Sequence, residues 1–146
     1  MATGDEPSGG DPPCWSHLFA ESEDAAAASS GGGAADLAAV ARAATGRGPA
    51  WTLRSDDLDV NLLVFGAGEG VVEHRNAETD VLVVGVEGEG VVTVDGRPYP
   101  VGPGRAVLVR KGARRGTRAS GGRFAYLTCH RRRPGLWPAS GDPTVA

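Results

Sequence analysis

Residues 68–88 read GEGVVEHRNAETDVLVVGVEG and residues 104–115 read GRAVLVRKGARR, with GEGVVTVDGRPYPVGPG over 88–104 joining them. In the first stretch two short apolar runs, GVVEH and DVLVVGV, flank a polar turn, the pattern of strand, turn and strand. The joining stretch holds Asp95-Gly96 between VVTV and RPYPV, a strong two-residue hairpin signal because both turn positions need positive φ.

The same rhythm extends in both directions. From Trp51 onward WTLRS, VNLLVFG, GVVEH, DVLVVGV, GVVTVDG, RPYPVGPG, RAVLVRKG and RFAYLTCH alternate with turn residues, about eight strands in roughly 80 residues. Glycine contributes 23 of 146 residues and aromatics only 5%, which favours short strands with tight turns over a helical bundle. Regular strand spacing of this kind predicts an all-β sandwich or closed barrel.

Spacing sharpens that reading. Gly68 and His74 have five residues between them, Asn76 follows two positions later, and Gly88 closes the stretch. This resembles the first motif of the cupin superfamily, in which Gly, five residues, His-x-His, three or four residues, Glu, six residues and Gly set metal ligands on inward strand positions. The second motif, Gly, five residues, Pro-x-Gly, two residues and His, is similar to Gly104, Arg110, Gly112 and Arg115. The resemblance covers about residues 51–133 and implies a double-stranded β-helix, or jelly-roll, barrel. It also marks departures, since Asn76 stands at the second histidine, Arg110 at the turn proline and Arg115 at the last ligand. Six residues before Gly88 put Val81 at the glutamate position with Asp80 beside it, and a one-residue slip would exchange their faces.

Only His74 remains of the implied ligands, and an arginine does not give up its proton to bind a cation. The resemblance therefore implies a barrel without a cofactor, although a weak, oxygen-rich divalent site on His74, Asn76 and Asp80, with His130 recruited from the last strand, stays open. Arg115 at the mouth would offer a forked cation to a carboxylate or phosphate, unless Arg114 faces inward instead. In the last strand Tyr126 and His130 share one face and Ala125, Leu127 and Cys129 the other; the aliphatic face is the expected interior one, with Tyr126 and His130 toward solvent or a neighbouring subunit, and the alternative brings both into the site. The candidate ligand-binding set is His74, Asn76, Asp80, Arg115, Tyr126 and His130.

Outside the strands the chain divides by composition. Residues 1–33 carry six acids, no Lys or Arg, and much Gly, Ser, Ala and Pro, which predicts a disordered acidic tail with one apolar island at Cys14–Phe19. Residues 34–44 place Leu37, Val40, Ala41 and Ala44 on one helical face, and Gly46, Gly48 and Pro49 end the helix, so the leading helical segment spans 34–46. The barrel then runs to 137, with Trp137 packing outside it and residues 138–146 disordered. Residues 105–133 carry ten bases and no acid, a segment suited to an anionic ligand, nucleic acid or the acidic tail. No nucleic-acid motif is visible, and no apolar stretch nears the roughly 18 residues of a membrane span. Two cysteines make neither a disulfide framework nor a zinc site, so a cytoplasmic protein without nucleic-acid or membrane partners is expected. The expected function is binding of a small, anionic molecule in a sensory or accessory role without metal. Alternatives are a metal-free isomerase or cyclase using the same pocket, with His74 or Asp80 moving a proton, and a metal-dependent dioxygenase. Strands apolar on both faces and one short helix lead to an expected homodimer.

Overall fold

Over residues 34–132, the part of the chain described by the computed structural model, one helix precedes nine strands. They are α1 (Leu37–Ala43), β1 (Gly48–Arg54), β2 (Leu58–Phe65), β3 (His74–Arg75), β4 (Val81–Glu87), β5 (Gly90–Val94), β6 (Arg97–Val101), β7 (Ala106–Val109), β8 (Arg114–Ala119) and β9 (Phe124–Arg131). The expectations for the tail at 1–33, the Cys14–Phe19 island, the barrel end at 137, Trp137 and residues 138–146 lie outside the described residues.

The helix is shorter than the 34–46 segment expected from propensity. Asp36 takes the N-cap position, its carboxylate accepting the Ala39 N–H at 3.1 Å, so the helix starts only after it. At the other end Ala44 turns extended (ψ 130), well before Gly46. The Arg123 guanidinium donates to the carbonyls of Ala41 and Ala44, filling the acceptors that a helix end leaves open.

Nine strands replace the expected eight because β8 has no apolar alternation to reveal it. Its outward side chains Arg114 and Arg118 are charged and exposed, while its inward ones begin with another arginine. The GVVEH run shrinks to the two residues of β3, since Val71 meets β8 through the Thr117 hydroxyl and amide rather than a ladder. Asp95 (φ 48) and Gly96 (φ 80) form the expected hairpin between β5 and β6.

Two antiparallel sheets face each other in a jelly-roll barrel: β1-β2-β9-β4-β7 and β3-β8-β5-β6. Between them lies the main core, in which Leu63 and Phe65, Val81 and Val83, Val92 and Val101, Phe124 and Tyr126 are buried. A second cluster joins Ala41 of α1 to Leu62, Val64 and Ala125 on the outer face of the larger sheet. The two clusters separate by parity along β2 and β9, as period-two strands require.

Each of the motif glycines Gly68, Gly88, Gly104 and Gly112 has positive φ, which is why their spacing survives where the ligands have changed. At Gly88 (φ +69) a Cβ would also stand 1.8 Å from the Arg123 carbonyl oxygen, whereas at Gly96 (φ +80) it meets nothing within 4 Å. Gly88→Ala is expected to cost about 2–4 kcal/mol in urea unfolding, and Gly96→Ala about 1–2 kcal/mol from the left-handed backbone alone. Equal losses would show that the Gly88 contact is not constraining.

Candidate functional site

The inner face of β9 carries Phe124, Tyr126, Thr128 and His130, all buried, while Leu127 and Cys129 point to the outer face. Contrary to the expected aliphatic interior, the aromatic and polar face is the inner one, and Ala125 and Leu127 pack against α1 on the outside. Register explains the choice, because Tyr126 pairs with Leu63 and Gly85, Thr128 with Asn61 and Val83, and His130 with Asp59 and Val81. The Tyr126 ring lies between Phe65 and Phe124 at centroid distances of 6.1 and 5.0 Å, while the space a side chain on Gly85 would need is taken by the Gly102 carbonyl, 2.0 Å from that Cβ position.

Two contacts set the level of one sheet against the other. The Phe124 ring fills the space a Cβ on Gly90 would take, 2.2 Å from Cδ2. Further along, the Tyr126 and Thr117 hydroxyls share a 2.7 Å hydrogen bond, so these side chains meet across the interior. One inward position along β8 from Thr117 lies Arg115, and one inward position along β9 from Tyr126 lies Thr128. Arg115 pairs in register with His74 on one side and Val94 on the other. Its side chain is inside, only 4% exposed, whereas Arg114 lies outside and holds Glu73 at 2.6 Å. The barrel interior is thus apolar at the Phe124 end, while at the Arg115 end buried polar residues are interleaved with Val81, Val83 and Val109.

His74 and His130 come from opposite sheets and are arranged alike. Each ring sets Nδ1 2.9 Å from a backbone carbonyl, that of Val72 and of Arg131 respectively. A ring nitrogen facing a carbonyl must carry the proton, so Nε2 is the basic nitrogen of each neutral imidazole. Thr128 is 3% exposed and its Oγ1 has no hydrogen-bond partner among the described residues. A buried hydroxyl in that condition loses about 1–3 kcal/mol of solvation unless a bound molecule or water satisfies it.

The remaining candidates have other positions. Asn76 is buried, but its Oδ1 accepts the N–H groups of Glu78 (2.9 Å) and Thr79 (3.3 Å) and its Nδ2 donates to the Thr79 hydroxyl (3.3 Å). Its side chain shapes the turn, as an Asx residue does. Asp80 is exposed and accepts the Lys111 N–H at 2.8 Å, while Val81 takes the inward position at 1% exposure. That settles the register and places Asp80 outside the barrel interior. Sequence reading missed Thr117, Thr128 and Asn61, small polar residues interleaved with apolar ones on strands whose parity was unknown. It also missed Arg54 and Asp59, facing each other across β1 and β2 with Nε and Oδ1 3.4 Å apart. Burial pulls the Arg54 pKa down, the Asp59 carboxylate opposes this, and the Arg132 cation adds to it.

Residues 61–129 match the Cupin domain family. The chain belongs to the cupin superfamily. This cupin is similar to the dimethylsulfoniopropionate lyase DddW of Ruegeria pomeroyi, with 36% identity over 72 residues, 48% of this chain and 47% of that one. The chain thus spans about half the length of that curated relative. It is similar in fold to TT1209 from Thermus thermophilus, with TM-score 0.59 and 26% identity over 69% of this chain and 98% of that one. A likeness to KdgF from Halomonas sp., TM-score 0.53 and 20% identity over 57% of this chain and 77% of that one, speaks to fold alone.

The motif positions that hold a metal in cupins do not fit one in this chain. The second holds an amide spent on its own turn, the third an apolar core side chain, and the fourth a buried guanidinium, leaving His74 as the sole imidazole of the set. Because Val81 is packed in the core and Asp80 holds a surface loop, Val81→Ala is expected to cost about 2 kcal/mol and Asp80→Ala about 1 kcal/mol. Chemical denaturation measures both, and the reverse order would put the carboxylate inside.

Proposed function

We propose that this cupin binds a small anionic molecule, a carboxylate or a phosphate ester, at the polar end of its barrel, without a resident metal, in a sensory or accessory role in the cytoplasm. The observation that carries the reading is the Arg115 guanidinium, buried on the inner face beside the buried imidazole of His74. A buried cation favours an anion strongly because little water competes, and its five N–H donors can serve structural neighbours and a ligand together. His130 and Thr128 supply a second imidazole and an unsatisfied hydroxyl from the opposite sheet, and Tyr126 is buried one inward position further along the same strand. The relative's name gives the proposal a chemical direction, since a propionate is a carboxylate. Of the candidates named from sequence, His74, Arg115, Tyr126 and His130 are buried on the inner face, which supports assigning them to the proposed site; Asn76 is committed to its turn.

A second reading places proton transfer in the same pocket. His74 and His130 each keep Nε2 as the basic nitrogen, and the Tyr126 hydroxyl is held against Thr117, a set that suits a metal-free isomerase, cyclase or lyase. Arg115 would then stabilise the anionic intermediate. Solvent deuterium appearing at a carbon of the bound molecule, and disappearing in His74→Gln or His130→Gln, separates this reading from binding alone.

A melting-temperature screen with small mono- and dicarboxylates and phosphate esters is expected to yield stabilising compounds. Calorimetry with the best of them should show Arg115→Gln weakening binding by about tenfold to a hundredfold, the worth of one charge-assisted contact. Binding that is indifferent to Arg115→Gln would overturn the proposal. Elemental analysis is expected to find less than stoichiometric iron, manganese, nickel or zinc, and one such ion per chain would revive the metal-dependent reading.

A further inference from the structure

The outer face of the five-stranded sheet is only partly covered. α1 has 7 residues, about 10 Å of length at 1.5 Å per residue, whereas five strands span about 19 Å at 4.8 Å per spacing. The helix shields Leu62, Val64 and Ala125 and stops. In the next row register aligns Leu53, Val60, Cys129, Leu82 and Leu108 across all five strands, with no charge among them. Leu82 is 40% exposed, Leu108 54% and neighbouring Leu58 46%. A groove of about 440 Å³ follows the row over Leu58, Cys129, Leu82 and Leu108, bordered by Glu78, Asp80, Lys111 and Arg131.

We propose that residues 14–19 of the same chain, CWSHLF, dock in this groove and complete the outer layer beside α1. Three features select that occupant. The chain delivers it to this face, because α1 packs on Val86 of β4 and Leu82 lies four residues back along that strand, about 13 Å at 3.3 Å per residue. The 16 residues between Phe19 and the Asp36 cap span about 22 Å as a coil, which sets the local concentration of the segment on the order of millimolar. A second copy at micromolar concentration competes against that. Composition is the second feature, since Trp15, Leu18 and Phe19 gather the large hydrophobic side chains of residues 2–33, and the row offers them exposed leucines. Charge is the third. Glu21, Glu23 and Asp24 follow the segment with no Lys or Arg nearby, while Arg105, Arg110 and Lys111 stand exposed at the ends of β7 around Leu108. Of the bordering acids, Asp80 is engaged by the Lys111 N–H.

The chain carries its own probe, because its two cysteines are Cys14 in the segment and Cys129 in the row. Mild oxidation of the full chain at low micromolar concentration, with copper–phenanthroline and oxygen as oxidant, is expected to join them. The two thiols lose two hydrogens to oxygen and form one intrachain disulfide, read by peptide mass spectrometry, at a rate unchanged by dilution. Trp15→Ser combined with Phe19→Ser, changes outside the barrel, should slow this cross-link by about tenfold or more. Leu108→Asp, at a half-exposed position, should slow it as much while keeping the circular-dichroism melt of a folded barrel. Cross-linking as fast in these variants as in the unaltered chain is random collision and overturns the proposal, as does the absence of an intrachain disulfide. Disulfides between chains, forming faster as concentration rises, overturn it in favour of a second copy on this face.

Discussion

β9 is hydrogen-bonded along its length to β2 on one side and β4 on the other, so its register cannot slip without breaking two ladders. A slip by one residue would drive Ala125, Leu127, Cys129 and Arg131 into the interior and turn Tyr126 and His130 outward. The rest of the barrel is fitted to the alternative that forms. Gly90 is small where the Phe124 ring needs space, and Thr117 is placed to bond the Tyr126 hydroxyl. On the other face Ala125 is short enough for α1 to lie against it.

That register also produces a change in polarity along the barrel interior. Phe65, Phe124, Val101 and Ala119 close one end with apolar packing and hold the two sheets together. Beyond the Tyr126–Thr117 bond Arg115, His74, Thr128, Asn61 and His130 join the inward Val81, Val83 and Val109. Burying this many polar groups lowers stability unless hydrogen bonds or ligands compensate. Part of the compensation is visible in the Thr52 hydroxyl donating to Asn61 Oδ1 at 3.0 Å and in the imidazole contacts to backbone carbonyls.

Much of the fold was legible because glycine spacing reports backbone conformation directly. The motif glycines and the Asp95-Gly96 pair all take positive φ, so the order of turns was readable even where the side chains between them had diverged. The same spacing put Arg115 and His74 beside each other, and they pair in register. Parity was harder to read. Asp80 and Val81 are neighbours with opposite faces, and only the pairing of Val81 with Val109 and His130 fixes which turns inward. β8 escaped detection because arginines fill both its faces, and α1 came out short because the Asp36 cap overrides the helix propensity of the alanines before it. Thr117 and Thr128 carry no signal of their own in the sequence; their importance arises from what the opposite sheet brings to them.

The central claim is that an anion is held inside the barrel by Arg115, and side-chain NMR of the arginine Nε–H groups during titration with a stabilising carboxylate addresses it most directly. The account predicts that the Arg115 resonance shifts and saturates together with the ring resonances of His74 and His130, while exposed Arg118 stays unchanged. Saturating shifts confined to surface arginines, with Arg115 silent, would contradict it.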